Sequence, residues 1–140
     1  MASVTSTYLG IDLGTTALKC IITDHKQRVV GLAEVSLPTV RPQPGWSEQK
    51  PQDWWLALRK ACQMLRARNR KDWGRIAAIG LSGQMHGAVI LDAAGKVLRP
   101  AILWNDGRAG AEAAAFNGKF SDIGQIAGGP AVAGFTAPKL

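Results

Sequence analysis

Tyr8-Leu9-Gly10-Ile11-Asp12-Leu13-Gly14-Thr15-Thr16-Ala17-Leu18-Lys19-Cys20-Ile21-Ile22 holds two apolar runs separated by the polar turn Gly14-Thr15-Thr16. Short apolar runs bounded by turn signals read as strands. The carboxylate of Asp12 falls where the first strand opens into the turn, and the cation of Lys19 follows on the return strand. Backbone N–H groups at a glycine turn, two hydroxyls and an acid suit a phosphate with a hydrated metal ion beside it. Phosphoryl transfer is therefore the first hypothesis. The pattern is not a Walker loop, because G-x-x-x-x-G-K-[ST] is missing and no helix follows. A plain hairpin turn explains Asp12 and Gly14, but Gly-Thr-Thr followed by Lys19 exceeds what a turn requires.

Outward from that run, residues 8–13, 18–24 and 28–37 read as three strands. The connections are short, Asp24-His25-Lys26-Gln27 among them, so the strands are expected to be antiparallel neighbours. Pro38, Pro42, Pro44 and Gly45 exclude a helix and a central strand, which leaves an extended loop pinned to the body by Trp46. Pro51 marks a helix start. From there Trp54, Trp55, Leu58, Ala61, Cys62 and Leu65 recur at helical spacing to about Arg68. That stripe is expected to cover one face of the sheet, with both tryptophans as core anchors. Residues 75–82 read as a buried strand, and a strand–helix–strand crossover makes its pairing parallel. A hairpin over 87–92 and 96–103, a helix at about 107–116 and a loop-like stretch around Gly128-Gly129-Pro130 and Gly134 follow.

The 140 residues are one domain's worth, long enough to bury a core, and 46% apolar with 19% charged residues is ordinary for a globular domain. No apolar run reaches the roughly eighteen residues of a membrane span, so no membrane partner is expected. Residues 1–7 have neither a basic start nor a separate apolar segment and read as a disordered lead. Cys20 and Cys62 lack metal-type spacing and read as small buried hydrophobes in a reducing cytoplasm. Much of the net charge of +7 comes from Arg59, Lys60, Arg66, Arg68, Arg70 and Lys71, on or just after one helix. Without a recognition-helix pattern, zinc spacing or an aromatic-studded basic strand, this is a solvated face and no nucleic-acid partner is expected.

Two further clusters carry chemistry. Ser82-Gly83-Gln84-Met85-His86-Gly87 lies at the C-terminal end of the fourth strand, where open α/β sheets bind ligands. Gln84 and His86 offer directional hydrogen bonds to hydroxyls; a loop histidine with a structural bond is the plainer alternative. In Trp104-Asn105-Asp106-Gly107-Arg108 an indole stands beside an amide, a carboxylate and a guanidinium, which together suit a polyol. A helix N-cap by Asn105 or Asp106 is equally compatible.

These residues resemble the FGGY family of carbohydrate kinases, which shares the actin/hexokinase-type ATPase fold. The resemblance rests on Gly10 to Thr16, Trp46 to Gln49, Trp54-Trp55, Gly80 to Gly87, Arg99 to Arg108 and Gly134 to Leu140, spread over nearly the whole chain. Gly-Thr-Thr marks the wider superfamily. Gln-Met-His-Gly with Trp-Asn-Asp-Gly-Arg points to the xylulose-phosphorylating members, since an Arg-Glu pair takes the Met-His position in glycerol-specific relatives.

The resemblance implies an α/β, ribonuclease-H-like domain, a mixed sheet with flanking helices, incomplete at its C-terminal end. Residues 8–140 would form the N-terminal part of the first, sugar-binding domain of a longer protein. The second domain, the catalytic base and the adenosine site would lie outside this chain. Asp12 would help organise Mg²⁺ through water; Gly14, Thr15, Thr16 and Lys19 would line the phosphate site of ATP. Met85 and His86 would contact D-xylulose, with Gln84, Trp104, Asn105, Asp106 and Arg108 around it. Lys50 departs from the acidic cap often seen before the first helix's proline, which bears on nothing catalytic. A kinase for ribulose, gluconate or glycerol, or a non-catalytic sugar-binding module, are the alternatives. The sequence leaves a homodimer open.

Overall fold

The computed structural model describes residues 5–140, which divide into two compact units. The first comprises the chain to Pro38 together with Gln52–Gln84. Its strands are β1 (Thr7–Leu13), β2 (Ala17–Asp24), β3 (Val29–Ser36) and β5 (Ile76–Gly83), the label β4 belonging to a strand of the other unit. They form a mixed sheet in the order β3-β2-β1-β5, antiparallel across β3-β2-β1 and parallel between β1 and β5.

Helix α1 (Pro51–Arg68) buries Ala57, Ala61 and Leu65, four residues apart and so on one face. They meet Leu9, Leu18, Cys20, Ile22, Ala33 and Leu37 in a single core. Alternation along the strands sends Gly10, Asp12, Lys19 and Glu34 to the opposite, open face. A short helix, α2 (Arg70–Trp73), returns the chain to β5. There the Thr7 hydroxyl donates to the Asp72 carbonyl at 2.7 Å. The β2–β3 turn is closed by Asp24, whose carboxylate accepts from Lys26 and Arg28; the Arg28 hydrogen bonds bring its pKa down to about 2.

The second unit comprises Thr39–Pro51 and Met85–Leu140. Strand β4 (Glu48–Gln49) pairs with β6 (Ala101–Ile102), antiparallel. Helices α3 (Gly110–Lys119) and α4 (Ile123–Ala127) follow, then a 3₁₀ turn at Ala137–Lys139.

The three opening strands, the first helix and the parallel fourth strand stand where the sequence puts them. Several details differ. The lead is shorter than residues 1–7 by at least Thr7, which is a buried strand residue; residues 1–4 lie outside the described residues. Strand β5 is the sheet's edge and is largely exposed rather than buried, with Leu81 at 80%. Trp54 packs against the core, but Trp55, about 100° further round the helix, is 62% exposed and anchors nothing.

The hairpin after His86 keeps its turn, where Asp92 accepts from Ala94 and Lys96, but its ladder shrinks to isolated bridges. Pro100 removes a donor, and Ala101–Ile102 pairs with β4 instead. The third helix starts at Gly110 rather than 107. Asp106 and Gly107 have already committed their N–H groups to the Leu103 and Gly45 carbonyls. Neither Asn105 nor Asp106 caps it; that position is Ala109. The last stretch is not all loop, since α4 runs to Ala127 and stops at Gly128 in the left-handed conformation.

The six clustered cations on α1 and α2 are all exposed. Among the described residues no helix is long and apolar enough to cross a membrane.

Candidate functional site

In the first unit, parallel pairing of β1 with β5 sets their C-terminal ends side by side. The register opposes Gly10 to Gly80 and Asp12 to Ser82, while β2 opposes Lys19 to Asp12. The result is a concavity of about 390 Å³ on the sheet face opposite α1, which Asp12, Lys19 and Ser82 share with the two glycines. Ile11, Ile21 and Leu81 complete its lining; a Cβ on Gly80 would meet nothing within 4 Å, whereas one on Gly10 would sit 3.0 Å from the Ile21 side chain. Asp12 is exposed there. Lys19 reaches Glu34 at 3.6 Å, an exposed pair of little energetic weight.

A single exposed carboxylate fits a hydrated Mg²⁺, which keeps several waters and takes few protein ligands. Among the described residues no three His, Cys, Asp or Glu side chains converge on one point.

The Gly14–Thr16 turn borders this face. Gly14 donates its N–H to the Ala17 carbonyl at 3.1 Å, so that donor is already used within the turn. The Thr15 hydroxyl donates to the Gln84 side-chain carbonyl at 3.1 Å, and the Gln84 N–H to the Leu13 carbonyl at 2.8 Å. Gln84 therefore ties the end of β5 to the threonine turn. This is a task that its reading as a sugar ligand did not include.

In the second unit, Asp106 is 2% exposed, and its carboxylate accepts four hydrogen bonds. One comes from the Ser47 N–H at 2.6 Å, three from the Arg108 backbone and guanidinium at 2.7–2.9 Å. Arg108 also reaches Glu48 at 2.7 Å and lies over the Trp46 ring at 3.5 Å. Burial works to raise the Asp106 carboxyl, but the Arg108 and Ser47 hydrogen bonds outweigh it and hold it below the usual carboxylate range. Asp106 and Arg108 thus brace the loop that displays Trp104 and Asn105, rather than standing open as expected. Trp46 pins its loop within this unit.

Met85 is 60% exposed, while His86 is half-buried and adopts φ +60°. The His86 ring stacks on Phe135, with centroids 4.3 Å apart. Lys139, 8% exposed, donates to the carbonyls of His86 (3.0 Å), Leu103 (2.8 Å) and Gly134 (2.6 Å), with that of Ile102 at 3.5 Å. Gly134 admits no side chain, because a Cβ there would collide with the Trp104 carbonyl oxygen. Sequence reasoning overlooked Glu48, Phe135 and Lys139 as contributors. The only signal was their place in the stretches Trp46–Gln49 and Gly134–Leu140, since a lysine in a Gly- and Pro-rich tail gives no hint of burial.

Residues 7–140 match the model of the FGGY family of carbohydrate kinases, N-terminal domain. The chain is 46% identical over 133 residues to the xylulose kinase of Klebsiella pneumoniae, an overlap of 95% of this chain and 27% of that protein. It therefore spans about a quarter of the length of the curated relatives it matches. The crystal structure of the xylulose kinase of Brucella ovis superposes with a TM-score of 0.92 at 50% identity, over 95% of this chain and 28% of that one. Plasmodium falciparum glycerol kinase with ADP superposes with a TM-score of 0.87 at 24% identity, over 96% of this chain and 28% of that one, a likeness of fold alone.

Proposed function

We propose a sugar phosphotransfer role from one premise: this chain belongs to the FGGY family of carbohydrate kinases. The protein it represents transfers the γ-phosphoryl group of ATP to a hydroxyl of D-xylulose, in xylose metabolism in the cytoplasm. The observation that carries this reading is the concavity over β1 and β5, where Asp12 stands over a floor of Gly10 and Gly80. The relatives of highest identity, xylulose kinases, support the choice of sugar.

Mg²⁺ and ATP supply the transferred group and the neutralisation of its charge. Asp12 would hold Mg²⁺ through its waters. Gly14, Thr15, Thr16 and Lys19 line the phosphates, with the Thr15 hydroxyl held by Gln84. Met85, His86, Trp104 and Asn105 contact the sugar, the exposed indole covering its C–H face. Asp106 and Arg108 fix that wall from behind. The resemblance assigns the base that takes the hydroxyl proton to none of these residues, and an assay of the 140-residue chain by itself is expected to show no ATP-dependent phosphorylation of D-xylulose.

The test is a substrate panel on the whole protein with ATP and D-xylulose, D-ribulose, gluconate or glycerol. The reading predicts the highest kcat/KM with D-xylulose. A preference for another of these sugars retains the kinase and overturns the choice of sugar; turnover of none overturns both.

A further inference from the structure

His86 has φ +60°, a region that a non-glycine residue occupies at a cost and that persists only where surrounding structure imposes it. Among the described residues Gln27 is the one other non-glycine residue with positive φ, and it sits in the β2–β3 hairpin turn. Ala88, two residues on, bridges to Ile102, but the contacts to the ring and carbonyl of His86 itself come from one short segment. Phe135 lies against its ring with an interplanar angle of 22°, and the Lys139 ammonium holds its carbonyl at 3.0 Å.

The same ammonium holds the Leu103 carbonyl, one residue before Trp104. An ammonium has three protons, and here they are spent on main-chain carbonyls in a buried cage, an arrangement that fixes backbone. Burial is the largest influence on this lysine and disfavours its charge, so a side chain of similar length and no charge would fill the space without the desolvation cost. What the charge adds is the tie between the carbonyls.

We propose that Lys139 is a positioning residue: with Phe135 it holds His86 in its left-handed backbone conformation and registers it against the turn at Trp104 that follows β6, so that both meet the sugar. This rests on the reading of His86 and Trp104 as sugar contacts.

The test compares the whole protein with its Lys139→Met and Phe135→Leu variants, by steady-state kinetics and by crystal structure. Misplacing a substrate-contacting group by about an ångström can cost up to about 10²-fold. Lys139→Met is expected to raise the sugar KM roughly tenfold or more, leave the ATP KM within about twofold, and release His86 to negative φ. Phe135→Leu is expected to move the sugar KM the same way by roughly threefold. A His86 that keeps its φ in Lys139→Met, with an unchanged sugar KM, overturns the proposal; so does an equal rise in both KM values. If Lys139→Met does not fold, Phe135→Leu decides on the same criteria. If the unaltered protein prefers another sugar, KM is read on that sugar. If it phosphorylates none, the kinase reading fails, and the His86 backbone in the variant structures still decides whether the segment positions it.

Discussion

Asp106 shows how far the role of a single residue depends on its partners. By composition the Trp-Asn-Asp-Gly-Arg stretch offers a carboxylate to a polyol. In the folded chain both oxygens of that carboxylate are engaged by Arg108 and by the Ser47 N–H. A buried charge deprived of its partner is costly, about 3–5 kcal/mol. Asp106→Asn would strand Arg108 with Glu48 alone, and a loss of about 3 kcal/mol is expected by denaturant unfolding at pH 7.

The pH dependence of stability follows from the depressed carboxyl of Asp106. Its folded pKa lies below the unfolded value of about 3.9. Its stabilisation is thus complete well above that value and is lost as pH falls through the folded pKa. Unfolding curves of the Asn variant should converge on those of the unaltered protein at acid pH. A constant gap from pH 7 to pH 3 would contradict this account. The thiols are the quieter case: burial pushes Cys20 up to about 12 and raises Cys62, in keeping with two packed hydrophobes.

At the scale of elements, the sheet was legible because its strands are short apolar runs between strong turn signals, and α1 because Pro51 and a four-residue repeat delimit it. What could not be read was which surfaces another element covers. Periodicity gave Trp54 and Trp55 equal standing, yet the roughly 100° between them puts Trp54 against the core and leaves Trp55 62% exposed. The apolar composition of β5 reads as burial, but its place at the sheet edge leaves it exposed. The Ala101–Ile102 segment pairs with β4, more than fifty residues earlier, a partner that no local pattern names. The packing has a direct test. Leu65→Ala, in the fully buried helix face, is expected to cost about 2–5 kcal/mol. Trp55→Ala, on the exposed face, is expected to stay within about 0.5 kcal/mol. Thermal or urea unfolding of the two variants checks both, and equal effects would contradict the placement of α1.

For the whole molecule, the sequence singles out candidate residues where chemistry is local, Asp12 with Gly14-Thr15-Thr16 and Gln84-Met85-His86, but not the Thr15–Gln84 tie between two of those stretches. Within the second unit, Glu48, Phe135 and Lys139, which hold Arg108, His86 and the Leu103 carbonyl, were not legible, because their partners are distant in sequence and their residue types unremarkable. Family membership points to phosphate chemistry, and the proposed function turns on the Asp12 carboxylate. The most direct measurement is kcat for ATP-dependent phosphorylation of D-xylulose by the whole protein and by its Asp12→Asn variant, with folding verified by circular dichroism. The account predicts that the variant folds and loses roughly 10²–10³-fold in kcat. A folded Asp12→Asn protein that retains the unaltered kcat would contradict it.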